Sequence, residues 1–257
     1  MIILLSGDAQ QIAGLNLTPW ERNIVNMKQM SPAEYRYSSL ESLKFEMNAR
    51  TRIVQSARAL QESGASFSDF KRSKCNEQFW MRTNQGGFRL KSGVSPADGI
   101  NDIFQNGRLY AFECATAIVI VMYKAILDLI DRNTFNTYFQ DLLLYTWYYD
   151  NDLRFNRTTL PEAYPGDVLY FNNPDFDPAT PGWRGENAVL LGPDLFYGHG
   201  PGIRSSAAMI AILNSKRKPG SLTSAYLIDE VLILDFEHIR KLKEGAARIG
   251  TRKYMLR

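Results

Sequence analysis

From Cys114 to Leu127 the chain reads Cys-Ala-Thr-Ala-Ile-Val-Ile-Val-Met-Tyr-Lys-Ala-Ile-Leu, apolar nearly all round. A helix without a polar face has to be enclosed by other elements. The rest of the chain must therefore wrap it, and the thiol at its first position is carried to the edge of the core. The β-branched residues also permit a strand, but the length of the segment favours a helix. Its longest apolar run, Ala115 to Tyr123, falls well short of the ~20 residues that a membrane span requires.

The material for that enclosure is present. At 257 residues, 45% of them hydrophobic and 12% aromatic, the chain can fill a sizeable core, and one domain spanning residues 1–257 is expected. The first half reads helical. Ser39 to Ala59 carries apolar residues on one face of a 3.6-residue period and stops at Gly64, and Ser95-Pro96-Ala97-Asp98 is a helix start. Between them, Phe79–Thr83 and Phe88–Lys91 flank Asn84-Gln85-Gly86-Gly87 as a small hairpin.

The last hundred residues read mostly as strands. Pro165-Gly166 turns into Asp167–Phe171, and Glu186–Leu191 with Leu195–His199 forms an antiparallel hairpin about Gly192-Pro193-Asp194. Ala225–Ile228 and Val231–Leu234 add another strand or two. The fold class is mixed α/β, with a helical half packed on a mostly antiparallel sheet.

Charge and rare residues exclude several function classes. A net charge of +3, without a basic stripe interleaved with aromatics, argues against nucleic-acid binding. The basic end of the chain is expected to be solvated or to meet acidic partners. Two histidines and two cysteines without metal-ligand spacing leave no set for a metal, and no cofactor is implied. The first residues lack the basic start and long apolar run of a signal peptide, so synthesis in the cytoplasm and free thiols are expected.

Within those limits Cys114 is the candidate nucleophile. A thiol at a helix start feels the positive end of the helix dipole, which favours thiolate, and the free N–H groups there suit an oxyanion. His199, between glycines in Gly198-His199-Gly200, is the candidate base, with a ring expected to have little cover. If Pro193-Asp194 is a two-residue loop, His199 lies opposite Ala188 and Glu186 shares its face, which makes Glu186 the favoured third group. A one-residue register change presents Asn187 instead. Glu113 is a second carboxylate beside the thiol, or simply a charge at a helix start. Cys75 reads as a bystander, His238 as a surface helix residue, and Asp175 with Asp177 as a turn.

The strings Tyr110-Ala111-Phe112-Glu113-Cys114-Ala115-Thr116-Ala117-Ile118-Val119-Ile120, Trp183-Arg184-Gly185-Glu186-Asn187 and Gly198-His199-Gly200 closely resemble the spore-coat transglutaminases of Bacillus-type bacteria. The likeness extends to Phe171–Pro178 and Ser224–Leu227, while 153–164 and the C-terminal tail differ. The resemblance implies a papain-like cysteine-hydrolase core and a calcium-independent, monomeric protein-glutamine gamma-glutamyltransferase. Such an enzyme would be made in the mother cell and would cross-link coat proteins through glutamine and lysine donors. It places the family's catalytic groups on Cys114, His199 and Glu186, with Glu113 as a substitute acid. Phe67, Trp147, Trp183, Tyr170 and Asn187 would line its substrate passage. A cysteine amidase or peptidase, delivering the same acyl group to water, is the alternative.

Overall fold

The computed structural model describes residues 1–7, 9–244, 246–249 and 252–255. Strand β1 (Ile2–Leu4), helix α1 (Pro19–Met30) and strand β2 (Tyr35–Tyr37) form an N-terminal layer, with β1 and β2 parallel. Thr18 caps α1 in a reciprocal box with Glu21, and Ser39 does the same with Ser42 at the start of α2 (Leu40–Glu62). Each cap satisfies backbone N–H groups that a helix start leaves open. Gly64, at φ +82°, lets the chain leave α2 sharply.

Next come β3 (Ser66–Phe67), the hairpin of β4 (Trp80–Arg82) and β5 (Phe88–Leu90), and α3 (Pro96–Gln105), capped by Ser95. Strand β6 (Ala111–Phe112) pairs in parallel with β3 and delivers the chain into α4 (Cys114–Leu127). Helix α5 (Arg132–Tyr138) and strand β7 (Leu143–Leu144) close this half. As its composition requires, α4 is enclosed: every residue from Cys114 to Tyr123 is buried. Each large apolar side chain so buried contributes on the order of 1.5–3 kcal/mol.

The second half supplies β8 (Phe155–Thr158), β9 (Val168–Asn172), β10 (Gly185–Gly192), β11 (Leu195–Gly198), β12 (Gly202–Arg204), α6 (Ser206–Asn214), β13 (Tyr226–Leu234) and α7 (Phe236–Lys243). The strands form one antiparallel sheet in the order β12-β11-β10-β9-β13-β8. Strand β13 is a single bulged strand where the sequence allows one or two. A terminal hairpin, β14 (Ala246–Ile249) with β15 (Arg252–Met255), follows, and the side chains of the basic tail from residue 245 onward lie outside the described residues.

Alternation sorts the sheet into two faces. Val168, Val189 and Tyr197 join the large core with α2 and α4, whereas Leu169, Phe171, Ala188 and Phe196 pack with Met209 and Leu213 of α6. The register of β10 with β11 decides which side chains face α4. Gly192 pairs with Leu195 across Pro193-Asp194, as the expected two-residue loop requires. Leu191 is then an extra residue, so Leu190 pairs with Phe196 and Ala188 with Gly198. This bulge moves the position opposite His199 from Ala188 to Asn187. The expectation that Glu186 shares the face of His199 is therefore corrected: Glu186 pairs with Phe171 and belongs to the α6 side.

Candidate active site

Strand β6 ends one residue before α4, and Glu113 between them has extended backbone. Its carboxylate accepts from the N–H groups of Ala115 at 2.8 Å and Thr116 at 2.7 Å, and from the Thr116 hydroxyl at 2.7 Å. Glu113 is thus the N-cap of the helix that carries Cys114, and the next N–H, of Ala117, bonds the Glu113 carbonyl. Of the N–H groups expected to be free at this helix start, that of Cys114 itself is the one left without a partner among the described residues.

Cys114 is 7% exposed, and its sulfur accepts a hydrogen bond from Asn187 Nδ2 at 3.3 Å. Burial pushes the thiol well above its ordinary pKa, the charges of Glu186 and Glu113 push it further, and Asn187 pulls it back in part. The thiolate expected from the helix dipole is overturned here. Desolvation and two nearby carboxyl groups outweigh a helix end whose N–H groups are already occupied.

His199 lies one residue beyond β11, in the turn to β12, and is 8% exposed rather than uncovered. Its ring stacks on Phe112 at 4.5 Å and 12°. Nε2 stands 3.1 Å from the Ser66 carbonyl and Nδ1 3.1 Å from the Tyr197 hydroxyl. A carbonyl only accepts, so Nε2 carries the proton and Nδ1 accepts from Tyr197. Burial holds the ring's pKa down at about 4, with the Ser66 carbonyl acting in the opposite direction. In this state the imidazole is neutral and makes no hydrogen bond to the sulfur.

The group at Nδ1 is Tyr197, which the sequence reading missed. It sits two residues before His199 on the same strand, and alternation alone would have found it. Glu186 is fully buried behind the turn. A Cβ on Gly198 would lie 2.7 Å from its Cγ, and one on Gly200 would lie 3.5 Å from its Oε2. Gly198 thus makes room for Glu186, whereas a Cβ on Gly200 would first meet the Trp183 ring, at 3.2 Å. Among the described residues neither carboxyl oxygen has a hydrogen-bond partner in good geometry, although the Gly200 and His199 amides lie close by. Burial raises its pKa to about 8, against the lowering pull of the nearby Gly200 and His199 amides.

Cys114 opens onto a cleft of about 870 Å³ whose walls include Trp147, Tyr170, Arg184 and Asn187. A neighbouring cleft of about 710 Å³ holds Phe67 and Trp183, whose rings are 5.1 Å apart. Asp69, Pro181 and Gly182 line both. The expected passage residues are thus divided, with Trp147, Tyr170 and Asn187 beside the thiol and Phe67 and Trp183 across the shared wall.

The remaining candidates stand apart. Cys75 is half-buried, and burial raises its pKa to about 11 despite its basic neighbours. His238 is on α7 as expected, but its side chain is only 15% exposed and faces Asp152 at 3.7 Å. Asp177 accepts from the Ala179 N–H two residues on, as the expected turn requires, whereas Asp175 holds Ser221 and Lys218 of a loop more than forty residues away. No group of three or more His, Cys, Asp or Glu among the described residues could hold a metal ion, and none of the described helices is long and apolar enough to cross a membrane.

The chain is similar to known proteins. The family model for protein-glutamine gamma-glutamyltransferase matches residues 1–243. A protein-glutamine gamma-glutamyltransferase of Bacillus mycoides (strain KBAB4) is 44% identical over 215 residues, covering 84% of this chain and 78% of that protein. One of Bacillus cereus (strain AH820) is 45% identical over 201 residues, 78% of this chain and 73% of that protein. Among solved structures, a transglutaminase from Geobacillus stearothermophilus (without C-terminal extension) superposes with a TM-score of 0.76 at 49% identity, covering 80% of this chain and 98% of that one. The chain belongs to the protein-glutamine gamma-glutamyltransferase family, the transglutaminases.

Proposed function

We propose that this transglutaminase joins protein glutamine and lysine side chains through a thioester on Cys114, on a core of papain-like type. The observation that carries the reading is the meeting of a buried helix-start thiol with the Asn187 face of a β-ribbon, at the wall of an aromatic cleft. The sulfur attacks the γ-carboxamide of a glutamine, ammonia leaves with the thiol's proton, and a lysine amine then displaces the sulfur. Water competes at the thioester. Transfer prevails where the amine is positioned and water is kept out, which suits the walls formed by Trp147, Tyr170 and Trp183.

Proton movement is the work of His199. Its ring leaves the Ser66 carbonyl and turns toward the sulfur when the acyl donor enters, while Tyr197 holds the tautomer beforehand. Glu186 acts from behind the turn as a carboxyl that keeps its proton near neutrality, and Glu113 acts as the cap of α4 rather than as a base. The resemblance to spore-coat enzymes supports coat proteins as the substrates, with a monomeric enzyme made in the mother cell and later held in the coat.

The test is incorporation of a fluorescent primary amine into a glutamine-bearing peptide, followed together with ammonia release. The wild type should yield both in step. Cys114→Ala should yield neither while unfolding at the same temperature. Ammonia release independent of added amine, with no new isopeptide bond, would make the enzyme an amidase. Isopeptide content of coats from sporulating cells with and without the gene tests the proposed substrates.

A further inference from the structure

We propose that Asn187 is a catalytic residue in its own right, its side-chain amide and the Cys114 backbone N–H together holding the oxyanion of the tetrahedral intermediate. The inference rests on the thioester reading above and adds the donor pair that makes the thioester reachable.

The helix start retains few free donors. Glu113 takes the N–H groups of Ala115 and Thr116, and the Ala117 N–H bonds the Glu113 carbonyl, so the Cys114 N–H is the one left open among the described residues. One neutral donor is a weak oxyanion site, and preorganised sites for acyl transfer use at least a second. The nearest side-chain donor is already in contact. Asn187 Nδ2 lies 3.3 Å from the sulfur, and its second hydrogen has no partner among the described residues. Asn187 also lines the cleft by which a glutamine side chain would reach Cys114.

Its aim is fixed by the fold. Asn187 is on a central strand, paired with Tyr170 of β9 on one side, and the Leu191 bulge turns it toward α4. With the other hairpin register the amide would point into the α6 layer and Glu186 would replace it. The oxygen of any carbonyl that bonds to the sulfur lies two bonds from it, within reach of a donor that already touches the sulfur.

A sulfur electron pair forms the C–S bond, and the carbonyl π pair moves onto oxygen, where the Asn187 and Cys114 N–H groups receive it. Collapse restores C=O and breaks the C–N bond. The departing nitrogen takes the proton that left the thiol, so glutamine amide and thiol become thioester and ammonia.

The experiment compares two reactions of the same sulfur in wild type and Asn187→Ala. Acyl transfer from a glutamine peptide forms an oxyanion, whereas alkylation by iodoacetamide does not. The variant's kcat for transfer should fall about a hundred- to a thousandfold with little change in KM for the peptide. Alkylation should slow by no more than about tenfold, through the smaller thiolate fraction alone. Should the alanine variant not fold, Asn187→Leu, of similar shape and without N–H groups, supplies the same two readings.

Transfer within about tenfold of wild type overturns the oxyanion role, as does alkylation falling in parallel with transfer, which would make Asn187 a partner of the thiolate only. A wild type that incorporates no amine would instead overturn the function on which the inference rests.

Discussion

The buried polar cluster beside the N-terminal layer and the one around Cys114 differ in how fully their groups are partnered. Beside the N-terminal layer, Arg50 on α2 bonds Glu46 at 2.7 Å and Asp167 at 2.8 Å, and Lys28 on α1 bonds the same Glu46 at 2.7 Å. Tyr37 accepts from Lys28, the Pro165 carbonyl from Arg50, and the second Asp167 oxygen from the Tyr164 N–H. Burial pushes Glu46 up, but Lys28 and Arg50 outweigh it and hold the carboxyl near 2. Burial does prevail in this cluster at Asp167, which it raises, and at Lys28, which it lowers, but around Cys114 it prevails at the thiol, the imidazole and Glu186 alike. Among the described residues Glu186 has no hydrogen-bond partner in good geometry, the imidazole is held neutral, and the thiol keeps its proton. A fully paired cluster fixes the fold, whereas one left short of partners stores charges not yet formed and is suited to moving protons.

The contrast is broken most severely at Arg50. Arg50→Met leaves the buried Asp167 carboxylate without a cation and Glu46 with Lys28 alone, and should lower the unfolding free energy by about 3–5 kcal/mol, with amine transfer per folded molecule unchanged. Urea unfolding checks it, and a loss below about 1 kcal/mol would place the network among weak surface pairs.

Glu186 gives a smaller effect tied to pH. Its folded-state pKa of about 8 lies above the ordinary 4.5. Its contribution to stability is therefore complete below the unfolded value and is lost as pH rises through about 8. Between pH 7 and 9 the wild type should lose roughly 1.4 kcal/mol more than Glu186→Gln, read from unfolding curves at the two pH values. Parallel curves would mean that the carboxyl is already ionised at neutral pH.

The smallest change is expected at the helix cap. Glu113→Ala should cost ~1 kcal/mol of stability. It should also quicken alkylation of Cys114 at neutral pH, because a charge that raises the thiol's pKa is gone. Slower alkylation would contradict that sign.

What the sequence made legible follows the same division. The enclosed helix and its thiol could be read because composition alone forbids a solvated α4, and the capped starts of α2 and α3 carry their own local signals. The loop at Pro193-Asp194 was also legible, but the bulge at Leu191 was not, since a bulge depends on how two strands twist together rather than on any residue in the turn. That single extra residue exchanged Asn187 for Glu186 on the face of His199. The charge state of Cys114 was hidden for a related reason. The helix dipole is local and readable, whereas the burial and the Glu186 charge that oppose it come from strands more than seventy residues away.

The most direct test of the account is the intact mass of the enzyme after incubation with a glutamine-bearing peptide, without amine acceptor, and acid quenching. The wild type should gain the mass of the peptide less ammonia, localised to Cys114 and discharged by an added primary amine. An adduct that survives in Cys114→Ala, or amine transfer that proceeds without any adduct forming on Cys114, would contradict it.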